Sequence, residues 1–542
     1  MKKRTTLIAA ITAALLALGG CGASNQSAND GTAGKTIITA YGVEPQATLI
    51  PGNTASTAGG KVLDLLFSQL TAFDAKGKLV NEVAESITPN DDASQYTIKI
   101  KKGWKFTDGT PVTAESFTKA WSYTANVTNA QINASYMSDI KGYDELQTEG
   151  VASDAQLSGL KVVDDNTFTV ELNASNSVFP TKIGFTAFAP LPESFYKDPK
   201  AFGEKPVGNG AYKFESWRHN TEIKVVKNAD YKGEFPAKND GVTFKLYTSG
   251  TSAYADVQSG NLDVMDNVPA TALKSFKSDP KVQAYAAAGS GIATFVIPGR
   301  LPHFSGEEGR LRRQALSMAI NRQQIVDKIL YGLGEPAKDF TAPVIQGYSE
   351  DIEGNDVLEY NPDKAKELWA KADAISKWEG PFRIAYNADG ASNKDIFSAV
   401  TSQIKNTLGI DATTNPIPTS QEFGTSITDR KIETPYRLSW SPDYPAAEDY
   451  LKPLYSISAA DGKGMNEGDY KNEDFDKLLD EAAKESDASK AEELYHQAEQ
   501  ILFTDLPAIP LYYTSANGVA AKGVKGVEFN WRNMPILQNV TK

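Results

Sequence analysis

Gln95-Tyr96-Thr97-Ile98-Lys99-Ile100-Lys101-Lys102-Gly103-Trp104-Lys105-Phe106-Thr107-Asp108-Gly109-Thr110-Pro111-Val112-Thr113-Ala114-Glu115 reads as a strand, a tight turn and the opening of a helix. Gln95 to Ile100 alternates polar and apolar side chains with the two-residue period of a half-buried strand. Asp108-Gly109 supplies the turn chemistry: glycine accepts positive φ, and aspartate bonds to nearby backbone. Thr113 is placed to cap a helix, with Glu115 in its first turn and Phe117, Ala120, Trp121 and Thr124 along one side. Asp108, Gly109, Thr113 and Glu115 therefore serve the fold and not a pocket.

The same alternation of strand and helix runs outward in both directions. Thr36 to Tyr41 is β-like, and Lys61 to Leu70 presents Val62, Leu65, Leu66 and Leu70 as one helical face. Leu160 to Leu172 contains a hairpin with Asp164-Asp165-Asn166 at its tip. Leu311 to Leu330 reads as one helix, with Leu311, Ala315, Leu316, Ala319, Ile320 and Ile325 on a stripe and Gly332 just beyond. Asn361-Pro362 opens another helix as cap and first residue. Pro206 to Phe214 is a glycine-rich turn into a strand. It lacks the third glycine and the following helix of a dinucleotide cradle. No internal repeat is visible, so the pattern is that of α/β domains with mixed sheets. At 542 residues the chain exceeds a single core, and two or three domains are expected.

Composition excludes several function classes. A formal net charge of −13 opposes a nucleic-acid partner, which calls for a basic face. The three histidines, His219, His303 and His496, are far apart, and none has metal-ligand spacing. There is no Gly-x-Ser-x-Gly elbow, P-loop or His-Glu-x-x-His. No catalytic residue, metal or cofactor is assigned. An exported hydrolase is the remaining enzymatic alternative.

The N-terminus reads as an address. Lys2, Lys3 and Arg4 precede an apolar run, Leu7 to Leu18, too short to span a bilayer comfortably. Leu18-Gly19-Gly20-Cys21 then resembles the lipobox of bacterial lipoproteins, and Cys21 is the one cysteine in the chain. The expectation is a signal peptide over 1–20, lipidation at Cys21 and a flexible tether over 21–35.

Ser439-Trp440-Ser441-Pro442-Asp443-Tyr444-Pro445-Ala446-Ala447-Glu448-Asp449-Tyr450-Leu451-Lys452-Pro453-Leu454 holds the candidate site. Asp443 sits between two aromatics, and Pro442 and Pro445 stiffen the segment away from helix. An acid in an aromatic wall suits the ammonium end of a small, partly apolar solute. From these residues alone, a solvated turn acid is the plainer reading.

Taken together, these stretches resemble family 5 of the bacterial solute-binding proteins, the oligopeptide- and dipeptide-binding components of ABC importers. Gln95 to Glu115 is similar to the family's most recognisable block. Pro206 to Tyr212 is similar to its Pro-Val-Gly-Thr-Gly-Pro-Tyr turn, with Asn209 and Ala211 as departures. Arg312 to Arg322 is similar to its Arg-x-Ala-Leu-x-x-Ala-Ile-Asp-Arg helix.

The resemblance implies a periplasmic-binding-protein-like, two-lobed hinge fold with an extra inserted domain. Domain I is expected over 36–72, 196–297 and 507–542, domain II over 73–195 and domain III over 298–506. It implies that Asp443, in the pattern Trp440-Ser441-Pro442-Asp443-Tyr444, receives a peptide's α-amino group. It also implies that Gly42, Val43, Glu44 and Gln46 form an edge pairing with peptide backbone. The partners it implies are short peptides, a permease and, through it, the ATPase subunits. A monomer held on the outer face of the membrane by its lipid is expected. The alternative within the same fold is a non-peptide solute such as a nickel chelate, haem or an oligosaccharide.

Overall fold

Gln95–Ile100 uses its alternation as the sequence dictates: Tyr96, Ile98 and Ile100 are buried while Gln95 and Lys99 face solvent. The computed structural model describes residues 36–390 and 392–542; the signal segment, the tether and Cys21 lie outside the described residues. The strand sits inside a four-stranded antiparallel sheet, between Ala84–Pro89 and Thr167–Glu171, with Leu160–Asp164 at the edge. The helix Ala114–Ala125 follows, and Thr113 N–H donates to Ser116 Oγ at 3.1 Å in a capping box. Its face of Phe117, Ala120, Trp121 and Thr124 is buried.

The glycine-rich turn after Pro206 is a packing device. A β-carbon at Gly208 would stand 1.9 Å from the Leu66 carbonyl oxygen, and one at Gly210 would stand 2.7 Å from that of Leu65. Only glycine lets this turn close against the end of helix Thr57–Leu66. The buried Asn209 side chain accepts from Ser68 N–H at 3.0 Å and donates to Ser68 O at 2.9 Å. Trp104 Nε1–H donates to Asn209 O, and Thr107 N–H to Gly208 O, so the opening block docks on this turn.

An eleven-stranded mixed sheet forms the backbone of the molecule. Near its middle lie two long antiparallel strands, Val282–Val296 and Ala508–Ala521. One hydrophobic core gathers residues from Ile38 to Val282 and from Val519 to Val540. A second gathers residues from Phe295 to Leu511. Apart from Leu333, which packs into the first core, the change of core occurs along the two long strands, which defines a first and a second lobe. At the crossover a small cluster of Ile292, Ala337, Ala342, Ile345, Tyr450 and Tyr513 fills the space between. The ladder is irregular there, with a register shift between Ala288 and Ile292. β-Carbons at Gly289 and Gly291 would each stand 2.5 Å from Thr514 atoms, so the bend depends on glycine.

The stretch expected as one helix, Leu311 to Leu330, is two: Gly306–Met318 and Arg322–Lys328. Asn321 caps the second, accepting Gln324 N–H at 2.9 Å. The break lets the buried Arg322 guanidinium reach carbonyl oxygens of Pro510 and Ser317 at 2.8 and 3.1 Å, together with that of Leu358. An amphipathic stripe does not reveal a cationic residue that satisfies itself on backbone.

The second lobe buries an acid pair. Asp339 and Glu499 are almost fully enclosed, and each carboxyl is pushed above its ordinary value, burial foremost. Asp339 accepts Phe340 N–H and the Thr341 hydroxyl, both at 2.6 Å. Raised acids bind protons more tightly folded than unfolded. Their contribution is therefore full below the unfolded carboxyl range, around pH 4, and is lost as pH rises through the raised values. Glu499→Gln keeps a donor for Asp339 without an ionisable proton. Measured by urea midpoints, the variant is expected to gain on wild type as pH rises above the ordinary carboxyl range. An offset independent of pH would remove the pair as a source of alkaline sensitivity.

Candidate functional site

The strand Tyr436–Trp440 carries the candidate segment into position. It pairs antiparallel with Val282–Val296, so that Trp440 lies opposite Ile292 at the crossover. The chain then leaves the sheet through Ser441 and Pro442 and turns. A helix, Glu448–Tyr455, begins only after the second proline has passed. Tyr450 on that helix donates its hydroxyl to Ser290 O at 2.5 Å, which ties the segment to the irregular part of the long strand. Trp440 is half-buried and packs toward the crossover cluster. Pro442 and Tyr444 are buried, and Ser441 is exposed near Gly291.

Asp443 is half-buried at the turn. Its carboxyl is pushed above the usual range, chiefly by burial, with Tyr136, Lys182 and Arg532 pulling the other way. Asp443 N–H donates to Asp449 Oδ2 at 2.7 Å. Asp449 is almost fully enclosed and its carboxyl is raised further, by burial first and then by the charges of Asp443 and Glu448. Tyr444 donates to Glu448 Oε2 at 2.5 Å.

The facing wall belongs to the first lobe. Tyr136 stands beside Asp443, and its hydroxyl is raised by burial and by the acid. Lys182 pairs with Asp139 at 2.7 Å; against the opposing effect of burial, the pair holds the lysine charged and the aspartate ionised. Arg532 pairs with Asp64. The lobes touch next to this wall, where Ser177 N–H and Oγ donate to the Ala483 and Ala482 carbonyls at 2.8 and 3.0 Å. Among the described residues Asp443 has no ion-pair partner within 4 Å.

A second unmatched charge lies six residues earlier. Arg437 and Ser439 project from one face of the strand, and Tyr436, Leu438 and Trp440 from the other. The half-buried Arg437 guanidinium donates to Ser439 Oγ at 2.9 Å and to Asn387 Oδ1 at 3.4 Å. Burial lowers its pKa, and among the described residues it has no carboxylate partner. Six residues of extended chain span at most about 20 Å, which bounds the separation of the two Cα atoms.

A cavity of about 660 Å3 opens beside the crossover. It is lined by 75–78 and Trp531 of the first lobe, 343–346 of the second, and Ala287, Ala288 and Ala516 of the long strands. Its volume is within the range of small-ligand sites. Pro445, two residues past Asp443, borders it. A β-carbon at Gly77, whose φ is +81°, would stand 3.4 Å from Pro445 Cβ.

At the expected edge, Gly42 to Gln46, the contacts made are within the first lobe. Glu44 accepts Asn220 N–H at 2.8 Å and bonds to His219 Nδ1 at 2.7 Å, while His219 Nε2 bonds to Glu204. Gly42 O accepts Tyr247 N–H. Val43 and Gln46 are exposed. Among the described residues no hydrogen bond or ion pair joins this segment to the Asp443 turn. Likewise, no group of three or more His, Cys, Asp or Glu is placed to hold a metal among the described residues.

Comparison with known proteins follows the same lines. The family described as "Bacterial extracellular solute-binding proteins, family 5 Middle" matches residues 78–462. The oligopeptide-binding protein OppA of Bacillus subtilis is 27% identical, with 97% of each chain covered. Heme-binding protein A of Haemophilus influenzae is also 27% identical, over 97% of this chain and 96% of that one. Among solved structures, the periplasmic murein tripeptide-binding protein MppA in its unliganded open form superposes with a TM-score of 0.81. It is 23% identical, with 94% of this chain and 98% of that chain covered.

The Lys182–Asp139 pair is a support within the first lobe's wall that sequence reading does not single out. Lys182→Met strands a largely enclosed carboxylate and is expected to destabilise the protein by about 3 kcal/mol. Lys182→Met combined with Asp139→Leu is expected to recover most of that loss in urea unfolding. A double variant no better than the single one would show that Asp139 does not depend on the lysine.

Proposed function

We infer, from the premise that this chain belongs to the bacterial extracellular solute-binding proteins of family 5, that it captures short peptides between its lobes and delivers them to an ABC permease. The family consists of transport binding proteins and not enzymes. The single observation that carries the peptide reading is the placement of Asp443: a partly enclosed carboxylate without a cation, facing the opposite lobe. Arg437, a guanidinium without a carboxylate, complements it. A zwitterion of peptide length supplies both missing partners. Uncharged sugars supply neither. The haem-binding relative favours a second reading, in which the same cleft takes a non-peptide solute.

Capture works through differential contact. Asp443 and its neighbours Glu448 and Asp449 belong to the second lobe, Tyr136 and Lys182 to the first. A ligand held by Asp443 and enclosed by Tyr136 stabilises the arrangement in which both lobes meet it. Tyr450 links the same turn to Ser290 on the long strand, so occupation of the site and the bend of the strand are mechanically connected.

Asp443→Asn keeps the shape and removes the charge. Loss of one charge-assisted hydrogen bond contributes about 1.5–3 kcal/mol, so peptide affinity is expected to drop roughly tenfold or more, as read by calorimetry. N-acetylation of the peptide is expected to weaken wild-type binding to a similar extent. Unchanged affinity in both tests would remove Asp443 as the ammonium receptor.

We also propose that Cys21 carries the lipid that holds the protein at the membrane. Among the described residues no helix is long and apolar enough to cross a membrane. Cys21→Ala is expected to shift the protein from the detergent phase to the aqueous phase with its unfolding midpoint unchanged. Retention in the detergent phase would contradict the anchor.

A further inference from the structure

The cations near Asp443 are already committed. Lys182 binds Asp139 at 2.7 Å, Arg532 binds Asp64, and Lys452 Nζ lies 3.8 Å from Glu448 Oε1. Five carboxyl groups, Asp64, Asp139, Asp443, Glu448 and Asp449, thus share three cations. Asp443 and Asp449 are the two left over, and they are adjacent, joined through Asp443 N–H to Asp449 Oδ2 at 2.7 Å. The remaining titratable neighbours are hydroxyls: Tyr136 beside Asp443, Tyr444 on Glu448, Tyr450 near Asp449 and Tyr495 near Glu448. All four are raised above the ordinary tyrosine value, burial foremost, and supply no charge at neutral pH.

Two adjacent carboxylates in a partly dry cleft repel each other, and without a cation the simplest relief is one proton held on one of them. A peptide ammonium is a cation delivered to that spot. We propose that the empty site holds one proton on the Asp443–Asp449 pair and that the arriving ammonium drives it off, so that capture releases a proton. This rests on the reading that the site takes an α-ammonium. In the step, the carboxyl O–H bond breaks and its electron pair stays on the carboxylate oxygen. The proton passes to water or buffer base. The ligand nitrogen keeps its three protons throughout, and one new charge-assisted hydrogen bond forms to Asp443. Because a proton is released, affinity falls with falling pH, by up to tenfold per unit where a whole proton is displaced. The device favours loading near neutrality and unloading where the surroundings turn acidic.

Calorimetry of the full chain with tri-alanine and with the nonapeptide RPPGFSPFR, in buffers of different ionisation enthalpy near pH 6.5, tests this. The observed heat is expected to vary with buffer ionisation enthalpy with a slope close to one proton released. Asp449→Asn retains an acceptor for Asp443 N–H. It is expected to bind with that slope near zero and with a flatter dependence of Kd on pH. Binding with the same heat in every buffer would overturn the proposal while leaving peptide capture intact. An unchanged slope in Asp449→Asn would overturn it too, by placing the proton elsewhere. Absence of binding by either peptide would overturn the peptide reading itself, and the proposal with it. If the variant does not fold by circular dichroism, the wild-type slope and the pH dependence of Kd decide alone.

Discussion

The two hydrophobic cores are joined by Val282–Val296 and Ala508–Ala521, with Leu333 as a further point of contact with the first core. Two antiparallel strands resist shear along the ladder but bend where the ladder is interrupted. The interruption lies at Ala288 to Ile292, where glycine replaces side chains that Thr514 would exclude. The candidate site is arranged about that point. Trp440 pairs opposite Ile292, Tyr450 bonds to Ser290, and the 660 Å3 cavity opens between Ala287, Ala288 and Ala516. A site placed at a hinge gains leverage. Small differences in contact between lobes become changes in their separation, because packed cores move as bodies and do not deform.

Electrostatics then distinguishes the site from the rest of the surface. Elsewhere in the two lobes, some enclosed charges are paired, as Lys61 is with Asp266 and Arg312 with Glu308 and Asp373, and others are satisfied on backbone, as Arg322 is on carbonyl oxygens. Asp443 and Arg437, of opposite charge, are without an ion-pair partner among the described residues. An enclosed charge without a partner is costly. A binding protein tolerates that cost because the ligand removes it, which concentrates affinity at the ends of the solute and leaves its middle unread. That arrangement suits a receptor for many sequences.

Much of the fold was legible in the sequence, because Gln95 to Glu115 and the helical stripes follow two simple periods. Asp443 was singled out by the family resemblance that its Trp-x-x-Asp-Tyr setting carries. Arg437, three residues before Trp440, had a usable signal, a lone cation in an otherwise apolar and small-residue strand. Tyr136 and Lys182 had none: they meet Asp443 from some three hundred residues away, and only the packing of the lobes brings them there. The single helix read over Leu311 to Leu330 failed because Arg322 satisfies its donors on carbonyl oxygens, a long-range contact with no local trace. At Gly42 to Gln46 the Glu44 side chain is held by His219 and Asn220 from a distant hairpin, another long-range contact with no local trace.

The central claim is that the cleft at Asp443 holds molecules with a free α-ammonium. The most direct measurement is mass spectrometry of the small molecules released when protein purified without refolding is denatured. The expected result is a set of short peptides of varied sequence with unblocked N-termini. A single non-peptide species at stoichiometric yield, such as a tetrapyrrole, would contradict it.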